Sequence, residues 1–168
     1  MKRLIFLPLF IFIAVNIFAQ TKEEQTGRSA PDFKLESVDG DYLSLKDELG
    51  NGPVLLSFWA TWCKPCIEEM THYKKLYEEY KDKNFQILAI SIDNERTVAK
   101  VKPFARSKNY PFPVLLDTNS EVARKYYAQN VPYSVLIDKK GNIVYTHLGY
   151  MKGDEIKMKN KLDELLKN

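Results

Sequence analysis

The feature that most constrains this chain is a Cys-x-x-Cys pair placed where an apolar segment meets a helix-forming one. Cys63 and Cys66 are the only cysteines of the protein. Residues 54–59, which precede them, are apolar except for one serine, as is typical of a strand buried on both faces. Residues 67–82 carry apolar side chains at helical spacing. Cys63 is therefore expected at a helix N-terminus, where unpaired N–H groups favour a nucleophilic thiolate.

Two other interpretations of the pair are inert core residues and half of a zinc site. A zinc site would need two more ligands, and the only histidines, His72 and His147, do not form a second closely spaced pair. We expect both histidines to be surface or structural residues and the protein to need no metal and no cofactor. A structural disulfide closing so short a loop would remove little entropy from the unfolded chain, so redox chemistry is favoured.

Length and charge limit the classes of function. A chain of 168 residues is long enough for one ordinary domain. Its 25 basic and 22 acidic residues give a formal net charge of only +3, which does not indicate a nucleic-acid-binding protein. The lysines are scattered among glutamates, which is typical of solvated helix faces. We expect a monomer without nucleic-acid partners.

The first 19 residues have the pattern of a secretory signal peptide. Lys2 and Arg3 precede an apolar run that is short for a membrane span, which needs about 20 residues. Ile17 fits a cleavage site poorly, so an uncleaved membrane anchor stays open. We divide the chain into residues 1–19 as the leader, 20–28 as a flexible lead-in and 29–168 as the domain. Export, to the periplasm or a similar compartment, would place the cysteines where thiols oxidise.

The order of predicted elements indicates the fold class. An N-terminal hairpin is followed by alternating strands and helices, and then by a second hairpin and a last helix. The predicted strands are residues 33–36, 42–45, 54–59, 85–92, 114–116, 135–137 and 143–147, and the predicted helices are residues 63–81, 103–107, 120–127 and 154–166. Ser120 is expected to cap the third of these helices, and Ile156 to belong to the apolar face of the last. Crossover helices imply a parallel centre, and late hairpins add antiparallel strands. The prediction is an α/β fold with a mixed central sheet and helices on both faces.

Three motifs resemble known proteins. WCKPC at residues 62–66 resembles the Trp-Cys-x-Pro-Cys active site of the thioredoxin superfamily. APDF at residues 30–33, with Asp39-Gly40 and Ser44-Leu45, is similar to the N-terminal hairpin of exported TlpA/ResA-type thiol-disulfide oxidoreductases. Val131-Pro132 before residues 134–138 resembles the superfamily's cis-proline loop and the strand after it. The resemblance implies a thioredoxin-like three-layer sandwich with an extra N-terminal β-hairpin.

The resemblance also implies roles for the site residues. Cys63 would be the nucleophile and Cys66 the more buried thiol, together forming the redox disulfide. Glu69, three residues after Cys66 and on the same helix face, would help to move the proton of that thiol; the alternative is a solvent-facing glutamate, as we expect for Glu68. Pro132 would be cis beside the disulfide.

Substrate contact is expected from the residues around the disulfide. The backbone of Val131 would pair with an extended substrate, as in β-strand addition. The remaining residues expected to contact substrate are Trp62, Lys64, Pro65 and Tyr133, the last at a position where the family often has Thr or His. Trp59 is expected in the core, and Ser57 occupies the position where thioredoxins have a buried Asp.

These features favour a reductant of disulfides in exported proteins, for example in the maturation of c-type cytochromes. Its partners would be disulfide-bearing exported proteins and a membrane electron donor that reduces it again. Lys-Pro between the cysteines resembles reductases more than the Pro-His of strong oxidants. A disulfide-forming oxidant, a peroxiredoxin-like peroxidase and a binding module with idle cysteines remain the alternatives.

Overall fold

The computed structural model describes residues 27–167, so the predicted leader lies outside the described residues. In chain order the elements are β1 (Lys34–Ser37), β2 (Tyr42–Ser44), α1 (Leu45–Glu48), β3 (Val54–Trp59), α2 (Lys64–Tyr80), β4 (Gln86–Ser91), α3 (Val101–Lys108), β5 (Val114–Leu116), α4 (Glu121–Lys125), β6 (Tyr133–Ile137), β7 (Ile143–Leu148) and α5 (Asp154–Leu166). Short 3₁₀ turns follow α2 at Lys81–Lys83 and precede α3 at Val98–Lys100. None of the helices in this part of the chain is long and apolar enough to cross a bilayer.

The strands form one mixed sheet in the order β2-β1-β5-β4-β3-β6-β7. β3, β4 and β5 are parallel neighbours, and β6 and β7 extend the sheet antiparallel on one side. On the other side, β1 pairs antiparallel with β5, and β2 forms the edge. The predicted mixed α/β sheet is therefore confirmed, and β3, which lies between β4 and β6, leads into the cysteines.

An apolar core lies on each face of the sheet, and β3 is therefore buried on both sides. Leu55 and Trp59 belong to the core that α2, α3 and α5 cover. Leu56 and Phe58, whose side chains alternate with those, belong to the core that α1 and α4 cover. This arrangement gives the three layers predicted from the sequence, with α2 and its cysteines on the first face.

Four local predictions need correction. α3 begins at Val101 and not near Pro103. Pro103 is tolerated in the first turn because a backbone N–H at that position would have no helical hydrogen-bond partner. Ser120 precedes α4 but makes no side-chain cap, and its backbone is left-handed (φ 54°). Ile156 on α5 is 59% exposed and not part of the apolar face. Gly27 and Arg28, assigned to the lead-in, both hydrogen bond to Ile143, so the ordered domain begins before residue 29.

Candidate active site

Cys63 and Cys66 form a disulfide at the start of α2, with 5.3 Å between their Cα atoms. Cys63 is the N-cap residue of α2, and its Sγ accepts a hydrogen bond from the Cys66 backbone N–H at 3.3 Å. Pro65 lies in the first turn, where a backbone N–H would have no helical partner. The helix terminus thus directs an N–H group and the positive end of the helix dipole at the Cys63 sulfur.

The two sulfurs differ in access. Cys63 is 5% exposed, whereas Cys66 is completely buried. Cys66 lies in the core that α2 shares with β3 and α5. Cys63 therefore keeps the only solvent-exposed surface of the pair, in agreement with the expected greater burial of Cys66.

A buried carboxylate fixes the loop that carries Cys63. The Thr61 backbone N–H and hydroxyl donate to the two oxygens of Asp93 at 2.8 and 2.6 Å, and the Ser91 hydroxyl donates at 2.9 Å. Asp93 is only 1% exposed. Sequence reasoning missed Asp93, although it lies two residues after β4, whose carboxyl end lies beside that of β3. Polar residues at the carboxyl ends of parallel strands are the signal that could have found it.

Glu69 is the second buried acid of this region and is 2% exposed. Its Oε1 accepts hydrogen bonds from the Tyr73 hydroxyl at 3.0 Å and the Ser134 hydroxyl at 3.3 Å. The Tyr73 and Ser134 oxygens are 2.8 Å apart. Burial raises the pKa of Glu69 to about 8, against the opposing effect of the two hydrogen bonds. Its carboxyl is therefore mostly protonated at neutral pH.

The position of Glu69 excludes the alternative of a solvent-facing side chain, whereas its neighbour Glu68 is exposed as expected. Tyr73 and Ser134 are functional candidates that sequence reasoning missed. The helical spacing of Tyr73 from Glu69, i to i+4, was a usable signal. Ser134 could not be assigned because its contact spans 65 residues.

The peptide bond between Val131 and Pro132 is cis, as predicted. The Pro132 carbonyl accepts from the Gly149 N–H at 2.8 Å, which ties this loop to the residue after β7. Val131 lies outside β6, and neither its N–H nor its carbonyl is hydrogen bonded to another residue between 27 and 167. Both groups are thus available to an extended chain laid beside the loop.

The aromatic candidates separate into exposed and buried side chains. Trp62 is 60% exposed, and Lys64 and Pro65 are exposed beside it. Trp59 is fully buried against Phe104 and Tyr110, as expected for a core residue.

Tyr133 differs from the expectation. Its ring is 6% exposed and packs on Phe58 in the core on the opposite face from Cys66. Side chains alternate along β6, so Ser134 faces α2 and Tyr133 faces away. The Tyr133 side chain therefore has almost no exposed surface with which to contact a substrate, contrary to the prediction.

The remaining polar candidates have structural partners. The Ser57 hydroxyl contacts the Met70 sulfur at 3.5 Å and supplies no charge. His147 contacts Asp154 at 3.0 Å, and His72 lies 3.8 Å from Glu155. No group of three or more His, Cys, Asp or Glu side chains suited to a metal occurs among residues 27–167.

Comparisons with known proteins agree with this geometry. The model of the AhpC/TSA family matches residues 26–146. The thiol-disulfide oxidoreductase ResA of Bacillus thuringiensis subsp. konkukian (strain 97-27) is 39% identical over 149 residues, which cover 88% of this chain and 81% of that protein. The thioredoxin-like protein YneN of Bacillus subtilis (strain 168) is 39% identical over 140 residues, covering 83% and 81%.

Solved structures show the same fold. The thioredoxin domain of a thiol-disulfide oxidoreductase from Bacteroides vulgatus superposes with a TM-score of 0.71 at 26% identity, covering 86% of this chain and 99% of that one. A thioredoxin-like protein from Porphyromonas gingivalis gives a TM-score of 0.70 at 33% identity, covering 82% and 91%. With the disulfide at the mouth of α2, these similarities show that the chain belongs to the AhpC/TSA family and is a thioredoxin-like, ResA-type thiol-disulfide oxidoreductase.

Proposed function

We propose that this protein reduces disulfides of proteins outside the cytoplasm, with the haem-attachment cysteines of c-type cytochromes as the specific target class. The observation that carries the proposal is the asymmetric pair at the start of α2. Cys63 lies at the helix terminus and keeps a small exposed surface, whereas Cys66 is completely buried, about one helical turn before a buried acid whose pKa is raised to about 8.

Two exchange steps complete the reaction. The Cys63 thiolate attacks one sulfur of the target disulfide, so that a Cys63–target bond forms and the other target sulfur leaves as a thiolate and takes up a proton. Cys66 then loses its proton, with the help of Glu69, and attacks the Cys63 sulfur. The Cys63–Cys66 disulfide forms and the second target sulfur leaves. The target gains two electrons and two protons, which the dithiol loses.

Electrostatics favour reduction over oxidation as the direction. A strong oxidant stabilises its reduced form through a very acidic thiolate. Here the helix terminus stabilises the Cys63 thiolate, but Lys64 is exposed, and its charge is screened by solvent and salt. Ser57 and the mostly protonated Glu69 add no positive charge. The reduced form is thus stabilised only moderately, which corresponds to a reducing potential.

The substrate would bind across the cis-proline loop. The unpaired N–H and carbonyl of Val131 suit β-strand addition by an extended segment around the target cysteine. Trp62 offers an exposed aromatic surface beside Cys63. Recognition of the backbone together with one apolar contact fits unfolded targets, such as a cytochrome before haem attachment.

The proposed site of action depends on the leader. Residues 1–19 would direct export to the periplasm or a similar compartment and be removed, or else keep the domain at the membrane. A membrane protein that carries electrons outward would return the disulfide to the dithiol, and the domain would act as a monomer. Sequencing of the mature N-terminus should start at or near Gln20, whereas full-length protein recovered from the soluble cytoplasm would contradict export.

A peptide assay tests the direction of exchange. A synthetic apocytochrome segment with a disulfide between its two haem-attachment cysteines is mixed with the reduced protein, and peptide thiols are measured over time. We expect rapid reduction by the native protein and none by the Cys63→Ser variant. The oxidised protein is mixed with the reduced peptide in parallel. If that reaction is the faster one, the protein is an oxidant; if neither proceeds, the binding module with idle cysteines is the better account.

A further inference from the structure

The two oxygens of the Glu69 carboxyl have different surroundings. Oε1 lies within hydrogen-bonding distance of two hydroxyl groups, one from Tyr73 on α2 and one from Ser134 on β6. Oε2 is fully buried and has no hydrogen-bond partner among residues 27–167. An unpaired carboxyl oxygen in a buried site is costly, so such a group calls for a functional explanation.

Two different elements hold Oε1 in place. Tyr73 is one helical turn beyond Glu69, is 2% exposed and cannot move without disturbing the core. Ser134 is completely buried in β6, two residues after the cis-proline. The Tyr73 hydroxyl is also within hydrogen-bonding distance of the Ser134 oxygen, at 2.8 Å, so its one proton is shared between that oxygen and Oε1 and the three groups form a closed triangle. The carboxyl therefore cannot rotate freely.

We propose that Tyr73 and Ser134 are positioning residues that hold Oε1 of Glu69, leaving Oε2 as the oxygen that exchanges a proton with the Cys66 thiol. This rests on the proposed reductase chemistry, in which Glu69 assists Cys66. Cys66 precedes Glu69 by three residues on the same face of α2, so its side chain lies beside that of the glutamate. The closed disulfide has no proton to exchange, which explains why Oε2 is unpaired in this state.

The proton transfer balances within the site. The step uses the ionised fraction of Glu69, which is the smaller fraction at neutral pH and grows as the pH approaches about 8. In that fraction the Cys66 S–H bond breaks and an O–H bond forms at Oε2, which leaves a Cys66 thiolate and a neutral carboxyl. The thiolate then attacks the Cys63 sulfur of the mixed disulfide. The carboxyl proton later passes to water or to the departing thiolate of the target, which regenerates the carboxylate for the next turnover.

Several groups set the charge state of Glu69. Tyr73 and Ser134 donate hydrogen bonds that favour the carboxylate, whereas burial and the negative charge of Asp154 on α5 favour the neutral acid. Tyr145 on β7 and Tyr150 in the following loop also interact electrostatically with Glu69. Removing either anchoring hydroxyl should therefore shift Glu69 towards its protonated form.

The two-step reaction of the reduced protein with the aromatic disulfide DTNB tests this assignment. Attack by Cys63 releases the first nitrothiolate, and attack by Cys66 on the mixed disulfide releases the second. For Tyr73→Phe we expect an unchanged first step and a second step whose pH midpoint rises by about one unit, the effect of losing one hydrogen bond to a charged acceptor. Ser134→Ala, with its longer hydrogen bond, should cause a smaller rise.

Matched variants separate positioning from general damage to the fold. Tyr77→Phe, one turn further along α2, removes a hydroxyl outside the triangle and should leave both steps unchanged. In a Glu69→Gln background, Tyr73→Phe should have no further effect, because the group that it positions is gone.

The outcomes also separate this proposal from the proposed function. If Glu69→Gln alters the second step but Tyr73→Phe does not, or if the two effects add, the positioning role is wrong and the reductase chemistry survives. If Glu69→Gln itself leaves the second step unchanged, the role of Glu69 in the proposed function fails.

Discussion

At the scale of single residues, environment gives the two cysteines different chemistry. Cys63 ends a loop fixed by Asp93 and caps α2, where a backbone N–H points at its sulfur. Cys66 is completely buried among apolar side chains, which disfavours a charged sulfur. The accessible sulfur is therefore the one best suited to be a thiolate, and the buried one the thiol that acts second.

This asymmetry predicts how the thiols react. In the reduced protein Cys63 should have a pKa below the free value of about 8.5, so alkylation near neutral pH should modify it first. The Cys66→Ser variant should accumulate mixed disulfides with a target peptide, and Cys63→Ser should not. Mass spectrometry of tryptic peptides identifies the modified thiol. First modification of Cys66 would reverse the assigned roles.

The buried acid predicts an unusual dependence of stability on pH. The pKa of Glu69 is raised by burial from 4.5 in the unfolded chain to about 8 in the folded one. The folded protein therefore binds the proton more tightly, and stability contributed by this group is fully present below pH 4.5 and is lost as the pH rises towards 8. The total loss should reach a few kcal/mol, at about 1.4 kcal/mol per unit of pKa difference.

Urea unfolding of the oxidised protein between pH 4 and 9 measures this dependence. The Glu69→Gln variant should lack the fall in stability over that range, whereas Glu68→Gln, which changes an exposed neighbour, should keep it. If the free energy of unfolding changes with pH in the same way for the native protein and Glu69→Gln, the carboxyl ionises as it does in the unfolded chain, and the raised pKa is contradicted.

At the scale of elements, α4 is stabilised from outside its own first turn. Both oxygens of Asp117 accept backbone hydrogen bonds, from Val122 at 3.1 Å and Ala123 at 2.8 Å. Ser120, the cap expected from the sequence, makes no such bond. The buried carboxylate thus satisfies two of the N–H groups that a helix N-terminus leaves unpaired.

Substitution of the two residues distinguishes their contributions. Asp117→Ala should lower the free energy of unfolding by about 1 to 2 kcal/mol, as expected for a lost helix cap. Ser120→Ala should change it by less than about 0.5 kcal/mol, since its hydroxyl caps nothing. Denaturant unfolding of both variants provides the comparison. Equal losses would contradict the assignment of Asp117 as the cap.

Most element types followed from sequence patterns, whereas several boundaries did not. The continuous apolar run of β3 and the helical spacing in α2 correspond to real burial, so both were predicted correctly. The predicted start of α3 at Pro103 was wrong because local preference cannot show whether a proline occupies the first turn. The predicted cap at Ser120 was wrong because local preference cannot show which side chain reaches the helix terminus. Ile156 was wrongly placed on the buried face of α5 because apolar periodicity does not show where the covered face of a helix ends.

At the scale of the whole molecule, the site depends on contacts that no local pattern reveals. The sheet brings Asp93 to Thr61 and Ser134 to Glu69, across 32 and 65 residues of chain. The cysteines and the cis-proline could be predicted because their motifs are short and specific. The buried network could not, since it exists only once α2 packs on β3 and β6.

The reduction potential of the Cys63–Cys66 pair tests the central claim most directly. It is measured by equilibrating the protein with glutathione buffers of known ratio and quantifying the oxidised fraction. Moderate thiolate stabilisation predicts a potential below about −200 mV, on the reducing side of the strongly oxidising enzymes. A potential near about −120 mV, which lies roughly 4 kcal/mol away for a two-electron couple, would contradict the reductase assignment.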